Sequence, residues 1–416
     1  MNRLDKYIKQ IRGISYNPKD ISEVQLEDYL PILKANNIQE NGLETSKLIY
    51  IHKSKIKEEQ LIKKGDLLLA ASSGSKDIVG KNVFFENDFN GSFGAFCKVV
   101  RPNQNIYPRF LSVFFKTPLY KRHIRSLIQG VNINNLRNED IDSLKIPEFS
   151  QQEQLHIANL LCKAENLITQ RKQSIALLDE FLKSTFLEMF GDPVRNEKGW
   201  KLKLLSDCGK SRLGKMLDAK QIIGNNLKPY LRNSNVQWFS FKLDDLLEMD
   251  FDEKDKLEFS LKYGDILMCE GGEIGRCAIW KNQLQDCYFQ KAIHRIRLNE
   301  EFVLPAYFVY MFRLYTSNGG LKIYMGAATI SHLTGENLKK LKLPIPPIEL
   351  QTQFAQIVGK TEALKVQYQN SLQELENLYG SLSQRAFRGE LTLKHAEEQV
   401  LMAAEPEGKY QANSSK

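Results

Sequence analysis

The chain has 416 residues, more than one domain ordinarily holds, and carries 58 Lys/Arg against 50 Asp/Glu for a net charge of +8. No run approaches the ~18 apolar residues of a membrane span, and the first nine residues are too polar for a signal peptide. The six cysteines never form Cys-x-x-Cys, which points to a reduced, cytoplasmic chain without a structural zinc.

The charge is unevenly placed. Residues 1–147 hold 23 Lys/Arg against 16 Asp/Glu, and residues 191–344 hold 24 against 19. The segments 148–190 and 345–416 are slightly acidic. A basic excess confined to two segments is the footprint of a polyanion partner, with the acidic segments as scaffold.

Residues 1–147 read as a β-rich globule. Short β-branched and aromatic runs at 48–51, 66–71, 82–85 and 94–100 lie between Gly, Asn and Lys clusters. Pro108 opens a helix through Phe110, Leu111, Phe114 and Phe115. A polar loop at 130–135 precedes a last short strand at 144–147.

Residues 151–190 then form one long amphipathic stretch. Ile157, Leu161, Ala164, Ile168, Arg171, Ile175, Leu178, Leu182, Thr185 and Met189 step by alternating four and three, which puts them on one helix seam. Gly191 ends it, and residues 194–200 connect to a second globule.

Residues 191–344 repeat the plan of the first globule. Pro229, Leu231, Arg232 and Asn235 echo Pro31, Leu33, Lys34 and Asn37, and Tyr263-Gly264-Asp265 echoes Lys64-Gly65-Asp66. A second long stretch, 350–387, repeats the first at an offset of about 197 residues: Gln154, Ala158, Glu165 and Phe190 match Gln351, Ala355, Glu362 and Phe387. Its seam is Phe354, Val358, Thr361, Lys365, Tyr368, Leu372, Leu375, Tyr379, Leu382 and Ala386. So narrow a seam wants one partner helix, and the nearest candidate is the other copy, packed antiparallel. After 391 the chain turns polar, and 392–416 read as a disordered tail.

Catalytic chemistry is nearly absent. Gly209-Lys210-Ser211 resembles the close of a Walker A loop, but its first glycine would fall on Leu204. Gly271-Gly272-Glu273-Ile274-Gly275 lacks dinucleotide spacing and reads as a tight turn that lets the backbone approach something closely. No Asn-Pro-Pro-aromatic or Asp-Pro-Pro-aromatic run supplies an adenine-methyltransferase pocket. Cys269, Cys277 and Cys287 with His294 read as buried strand residues rather than a metal set. The carboxylates at 244–248 and 250–255 read as a solvated acidic loop.

Several stretches, in order and duplicated, carry a resemblance. Ile345-Pro346-Pro347-Ile348-Glu349-Leu350-Gln351 and Arg385-Ala386-Phe387-Arg388-Gly389-Glu390-Leu391 look like the helical region of type I restriction–modification specificity subunits. Phe190-Gly191-Asp192-Pro193 with Lys198-Gly199-Trp200 resembles that family's entry into its second recognition domain, and Gly13-Ile14-Ser15-Tyr16, residues 33–38 and Lys64-Gly65-Asp66 resemble its first. One departure is Pro147-Glu148-Phe149-Ser150-Gln151, where the second copy has Pro346-Pro347.

The resemblance implies an α+β fold with a pseudo-twofold internal repeat: two β-rich target-recognition domains at 1–147 and 191–344, and long helices at 148–190 and 345–391 forming an antiparallel coiled coil. It implies a non-catalytic DNA-specificity chain in which each domain reads half of a split, asymmetric duplex site. The helices would set the unread spacer and dock two methyltransferase subunits, with separate motor-nuclease subunits completing the complex. S-adenosylmethionine, ATP and Mg would belong to those partners, and this chain would hold no cofactor or metal. The expected DNA contacts are Lys34, Asn36, Asn37, Ser72, Ser73, Ser75, Lys76 and Lys81 in the first domain, and Arg232, Asn233, Ser234, Asn235, Glu270, Arg276, Lys291 and His294 in the second. These side chains suit phosphate contact or base-edge hydrogen bonding on loops. The rival reading is a protein–protein scaffold with no DNA role.

Overall fold

The computed structural model describes residues 1–39, 42–75, 77–129, 135–216, 224, 226–324 and 332–391. Lys76, most of the loop at 130–135 and the tail at 392–416 lie outside them. The chain divides into two compact units, Met1–Lys172 with Asn370–Lys416, and Gln173–Gln369. No helix among the described residues is long and apolar enough to cross a membrane.

In the first unit a four-stranded antiparallel sheet runs in the order Ile8–Arg12, Cys97–Pro102, Leu67–Ala70, Asn82–Phe84. A three-stranded sheet orders Ile49–His52, Tyr29–Leu33 and Ser92–Phe93, its last pair parallel. Ile38–Gln39 pairs with Gly42–Leu43, and Asn2–Arg3 pairs with Lys145–Ile146.

The second unit has the same topology strand for strand. Its four-stranded sheet is Gly209–Leu213, Ile293–Leu298, Ile266–Cys269, Cys277–Ile279, and its three-stranded sheet is Leu247–Asp250, Leu227–Leu231, Tyr288–Phe289, again with a parallel last pair. Val236–Gln237 pairs with Ser240–Phe241, and Lys201–Leu204 with Lys342–Ile345. The units differ after the central sheet. Pro305–Ser317 is one helix, whereas Pro118 divides its counterpart into Pro108–Phe114 and Pro118–Gln129.

The two long helices are Gln151–Phe190 and Ile348–Phe387, each of 40 residues. The first starts in a reciprocal cap: the Ser150 amide donates to the Glu153 carboxylate at 2.9 Å, and the Glu153 amide to Ser150 Oγ at 3.3 Å. The second starts directly after Pro346-Pro347, two residues earlier than its sequence pattern suggests. Every residue of both predicted seams is buried or half-buried.

Within each unit the helix segments run antiparallel. In the first, Glu165 meets Tyr379 at 2.8 Å and Lys172 meets Glu376 at 2.8 Å. In the second, Asp179 meets Lys365 at 2.6 Å, and Phe186 packs on Phe354. The helix segments are part of each core: Ile157, Leu161 and Phe387 with Phe110 and Phe114 in the first unit, and Phe186, Phe190 and Phe354 with Tyr307 in the second.

One buried glutamine per unit ties helix to globule. Gln154 Oε1 accepts the Tyr107 amide at 2.7 Å and Nε2 donates to the Phe149 carbonyl at 3.0 Å. Gln351 Oε1 accepts the Leu304 amide at 2.9 Å and Nε2 donates to the Phe302 and Pro346 carbonyls, both at 2.9 Å. A buried carboxylate is repeated too. Asp66 takes Arg101 in a fork at 2.8 and 2.7 Å and the Lys63 amide at 2.8 Å. Asp265 takes Arg297 at 2.6 and 2.7 Å and the Lys262 amide at 2.7 Å.

The acidic run at 244–255 is not a loop, although five of its seven carboxylates are exposed as expected. It contains the strand Leu247–Asp250 and the helix Glu253–Glu258, which Asp252 caps by accepting the Asp255 amide at 2.7 Å. Asp255 also pairs with Lys215. The glycine turn at 271–275 does bring backbone close, but to its own unit: Gly275, at φ +80°, lies against Phe312 and Thr316 of the helix Pro305–Ser317.

Gln154→Ala and Gln351→Ala are each expected to lower stability by roughly 1–3 kcal/mol, because each strands a buried amide N–H. Chemical denaturation measures it, and an unchanged midpoint in either variant would refute the anchoring role. Asp66→Ala and Asp265→Ala are each expected to lower stability, because each removes a fully buried carboxylate that closes a two-bond fork on an arginine. An unchanged midpoint in either variant would contradict this.

Candidate nucleic-acid interface

Each unit carries a loop held by one buried asparagine. Asn37 Oδ1 accepts the Lys34 amide at 2.8 Å and its Nδ2 donates to the Glu44 carbonyl at 2.8 Å. Asn235 Oδ1 accepts the Arg232 amide at 2.9 Å, and its Nδ2 reaches the Lys242 carbonyl at 3.0 Å and Asp245 at 2.6 Å. Both asparagines are buried. Their side chains are consumed in building the loop and are not presented on a groove-facing surface; Lys34 and Asn36 are presented instead.

Beside each loop a turn closes the central sheet. Gly13 makes it possible in the first unit, since a Cβ there would lie 2.1 Å from the Gly94 carbonyl oxygen. Gly214 serves in the second, where a Cβ would lie 2.3 Å from the Gln290 oxygen. Ile14 and Lys215 then form equivalent parallel bridges to Gly94 and Gln290.

A basin borders this turn in each unit, the two sharing residues 94–96 and their counterparts 290–292, although no residue of the loop held by Asn235 lines the second. The first, of about 500 Å³, is lined by Tyr16, Lys34, Asn36, Ser72, Ser73 and Phe96 among others. The second, of about 640 Å³, is lined by Met216, Glu270, Gln290, Lys291, His332 and Thr334, with Ala292. The structure thus gathers Lys34, Asn36, Ser72 and Ser73 at one site, and Glu270 and Lys291 at the other. Ser75 is exposed on the turn that follows Ser73, its amide donating to Ser73 Oγ at 3.2 Å. Lys81 is half-buried and does not line the first basin.

The predicted cations fall into two groups. Lys34, Lys81 and Lys291 form no ion pair with any described residue. Arg232 is paired with Asp245 at 2.8 Å, and Arg276 donates to the Asn233 carbonyl at 2.8 Å and pairs with Glu273 at 3.4 Å. These two guanidiniums brace the second loop. Asn233 is half-buried, its Nδ2 on the Gly271 carbonyl at 3.1 Å, while Ser234 is exposed at the loop tip. His294 is buried and donates to the Leu333 carbonyl at 3.0 Å. Burial pushes its pKa below the ordinary range, so it brings no charge to a phosphate.

The thiols of Cys97, Cys269, Cys277 and Cys287 are poor nucleophiles. Burial pushes Cys97 and Cys287 up to about 12 and raises Cys269 and Cys277. Cys269 and Cys277 are buried in strands, and Cys287 is buried just ahead of one.

Sequence reasoning missed Tyr16, Phe96, Met216, Gln290, His332 and Thr334. Phe96 was hidden inside an apparent strand at 94–100, whereas the strand begins at Cys97. Aligning Gly94-Ala95-Phe96 with Gln290-Lys291-Ala292 would have exposed it, because the flanking Phe93/Phe289 and Arg101/Arg297 match and these three do not.

The model of the type I restriction modification DNA specificity domain matches residues 9–178 and again 197–377. The chain is similar to the type I restriction enzyme EcoKI specificity subunit of Escherichia coli (strain K12), 29% identical over 95% of this chain and 90% of that one. It is also similar to the StySPI specificity subunit of Salmonella potsdam, 28% identical over 92% of this chain and 87% of that one. Among solved structures it resembles the type I restriction–modification S subunit of M. genitalium, with a TM-score of 0.52 and 15% identity over 93% of this chain and 95% of that one. A chain from a structure concerning complex assembly and conformational transition of the type I system aligns with a TM-score of 0.56 and 15% identity, over 92% of this chain and 98% of that one. With the specificity domain matched twice over most of its length, and the same framework folded twice, the chain belongs to the type I restriction–modification DNA specificity family.

Proposed function

We propose that this chain is the sequence-reading subunit of a type I restriction–modification complex, and that each globular region reads one half of a bipartite, asymmetric duplex-DNA site. The observation that supports this most is the pair of basins. They share one turn of the duplicated framework, 94–96 in one unit and 290–292 in the other, and are lined by different side chains. A common skeleton with unlike linings suits one task performed on two different sequences, with readout delegated to loops on a rigid support.

In this reading Lys34 and Lys291, free of internal ion pairs among the described residues, take phosphates or base edges at the rims. Asn36, Ser72 and Ser73 hydrogen-bond to base edges in the first half-site, and Glu270 and Lys291 in the second. The long helices set the unread spacer. Each is continuous over 40 residues, roughly 60 Å at 1.5 Å per residue. Their outer faces dock two methyltransferase subunits: Leu155, Leu167, Leu177, Phe181, Val366 and Leu378 are exposed along them.

S-adenosylmethionine is used by those partners, which rotate the target adenine out of the duplex. ATP and Mg are used by motor-nuclease subunits. This chain contributes binding and register, and no covalent step. The reading also places the complex in the cytoplasm, where its DNA is.

The affinity of the chain, in complex with its methyltransferase subunits, for site-containing DNA is expected to fall steeply and log-linearly with salt through counterion release. Lys34→Ala is expected to reduce that slope by about 0.9, the value for one phosphate contact. Salt titration of binding measures both. A slope near zero for the unmodified complex would favour the protein scaffold, and an unchanged slope in Lys34→Ala would remove that residue from the interface.

A further inference from the structure

The duplication permits the two basins to be compared where they coincide, at one turn whose side chains differ. The turn from Gly94 to Cys97 and the turn from Gln290 to Ile293 share their backbone bonds. The Cys97 amide donates to the Gly94 carbonyl at 2.8 Å, and the Ile293 amide to the Gln290 carbonyl at 3.2 Å. The Ala71 amide donates to the Phe96 carbonyl at 2.9 Å, and the Glu270 amide to the Ala292 carbonyl at 2.9 Å. The turns are braced from the next sheet as well: Gly94 donates to the Leu33 carbonyl at 2.9 Å and Gln290 to that of Leu231 at 3.1 Å.

On this shared frame the side chains are opposite in character. The first turn carries Ala95-Phe96 and the second Lys291-Ala292. Phe96 is 67% exposed although its turn is firmly held, with the Ser72 amide also bound to its carbonyl at 2.9 Å. A rigid, exposed phenyl at the rim of the basin is an apolar contact awaiting an apolar surface. The second turn could not present it the same way: Ala292 sits at φ +85°, where a bulky residue is strained. There the exposed group is the Lys291 ammonium, with Glu270 lining the same basin.

We propose that this turn selects bases in both half-sites, with Phe96 packing on the C5-methyl of a thymine in the first and Lys291 donating to O6 and N7 of a guanine in the second. Glu270 accepts from N4 of a cytosine beside it. The assignments follow from what each base edge offers in the major groove: only thymine presents a methyl, only guanine two adjacent acceptors, and only cytosine a lone amino donor beside no acceptor. The first half-site therefore contains an A·T pair that is read by its methyl, and the second a G·C pair that is read by charge. This rests on the DNA-reading function proposed above.

The test uses the chain assembled with its methyltransferase subunits. The methylated motif is determined by sequencing genomic DNA exposed to the unmodified complex, Phe96→Ala, Phe96→Leu and Lys291→Ala. Binding is then measured on motif duplexes in which each thymine of the first half-site is replaced in turn by deoxyuridine, which removes only the methyl. One such replacement is expected to weaken binding of the unmodified complex by about fourfold, the effect of burying one methyl group. Phe96→Ala should be indifferent to that replacement, while Phe96→Leu, still apolar, should keep part of the sensitivity. Phe96→Ala should relax one position of the first half-site and leave the second intact, and Lys291→Ala the reverse. Equal deoxyuridine sensitivity in Phe96→Ala and the unmodified complex, or an unaltered motif in both alanine variants, would overturn the proposal. If the unmodified complex marked no split motif, the underlying DNA reading would fall and this inference with it.

Discussion

The structure depends on the way a buried glutamine joins each long helix to its globule. Gln154 and Gln351 stand at the same point of their helices, and each receives a backbone amide just ahead of a proline-led helix. A glutamine there satisfies donors and acceptors that no apolar residue could, in a site without water access. The bond therefore fixes which helix turn faces which loop. Around it the aromatic cores assemble, Phe110, Phe114 and Phe387 in one unit and Phe186, Phe190 and Phe354 in the other. Helix direction and sheet position are set together, which a device that must hold a reading surface in register requires.

Much of this was legible in the sequence because it was written twice. Gln154/Gln351, Asp66/Asp265 and Asn37/Asn235 recur at nearly constant offset, and recurrence separates framework from surface without any outside comparison. The helix seams were legible because heptad spacing over about 40 residues leaves few alternatives. Some strands were not. Tyr29–Leu33 and Leu227–Leu231 each contain a proline, which argues against a strand from sequence alone. Here Pro31 and Pro229 sit just ahead of the residue where parallel pairing begins, so the missing donor breaks no ladder on that side.

The site was less legible for a related reason. Residue type suggested Asn37, Asn235, Arg232, Arg276 and His294, all capable of meeting DNA. The fold spends them on itself: capping a loop, bracing it, or filling the core beneath it. Polar residues next to a reading surface are needed to build that surface, and sequence gives both roles the same letters. What remains at the rims is a smaller set, with Lys34, Asn36 and Phe96 on one side and Glu270 and Lys291 on the other. A framework so heavily bonded can tolerate replacement of those few side chains. New specificities can thus arise without disturbing the fold.

Two equivalent regions of one chain are proposed each to read half of a split DNA site. The most direct measurement is the methylome of a host carrying this gene and its methyltransferase gene, compared with a strain lacking this gene alone. N6-methyladenine should disappear from one bipartite motif, two short specified halves around an unspecified spacer, and from nothing else. Persistence of every methylated motif after the deletion, or loss of a single undivided one, would contradict it.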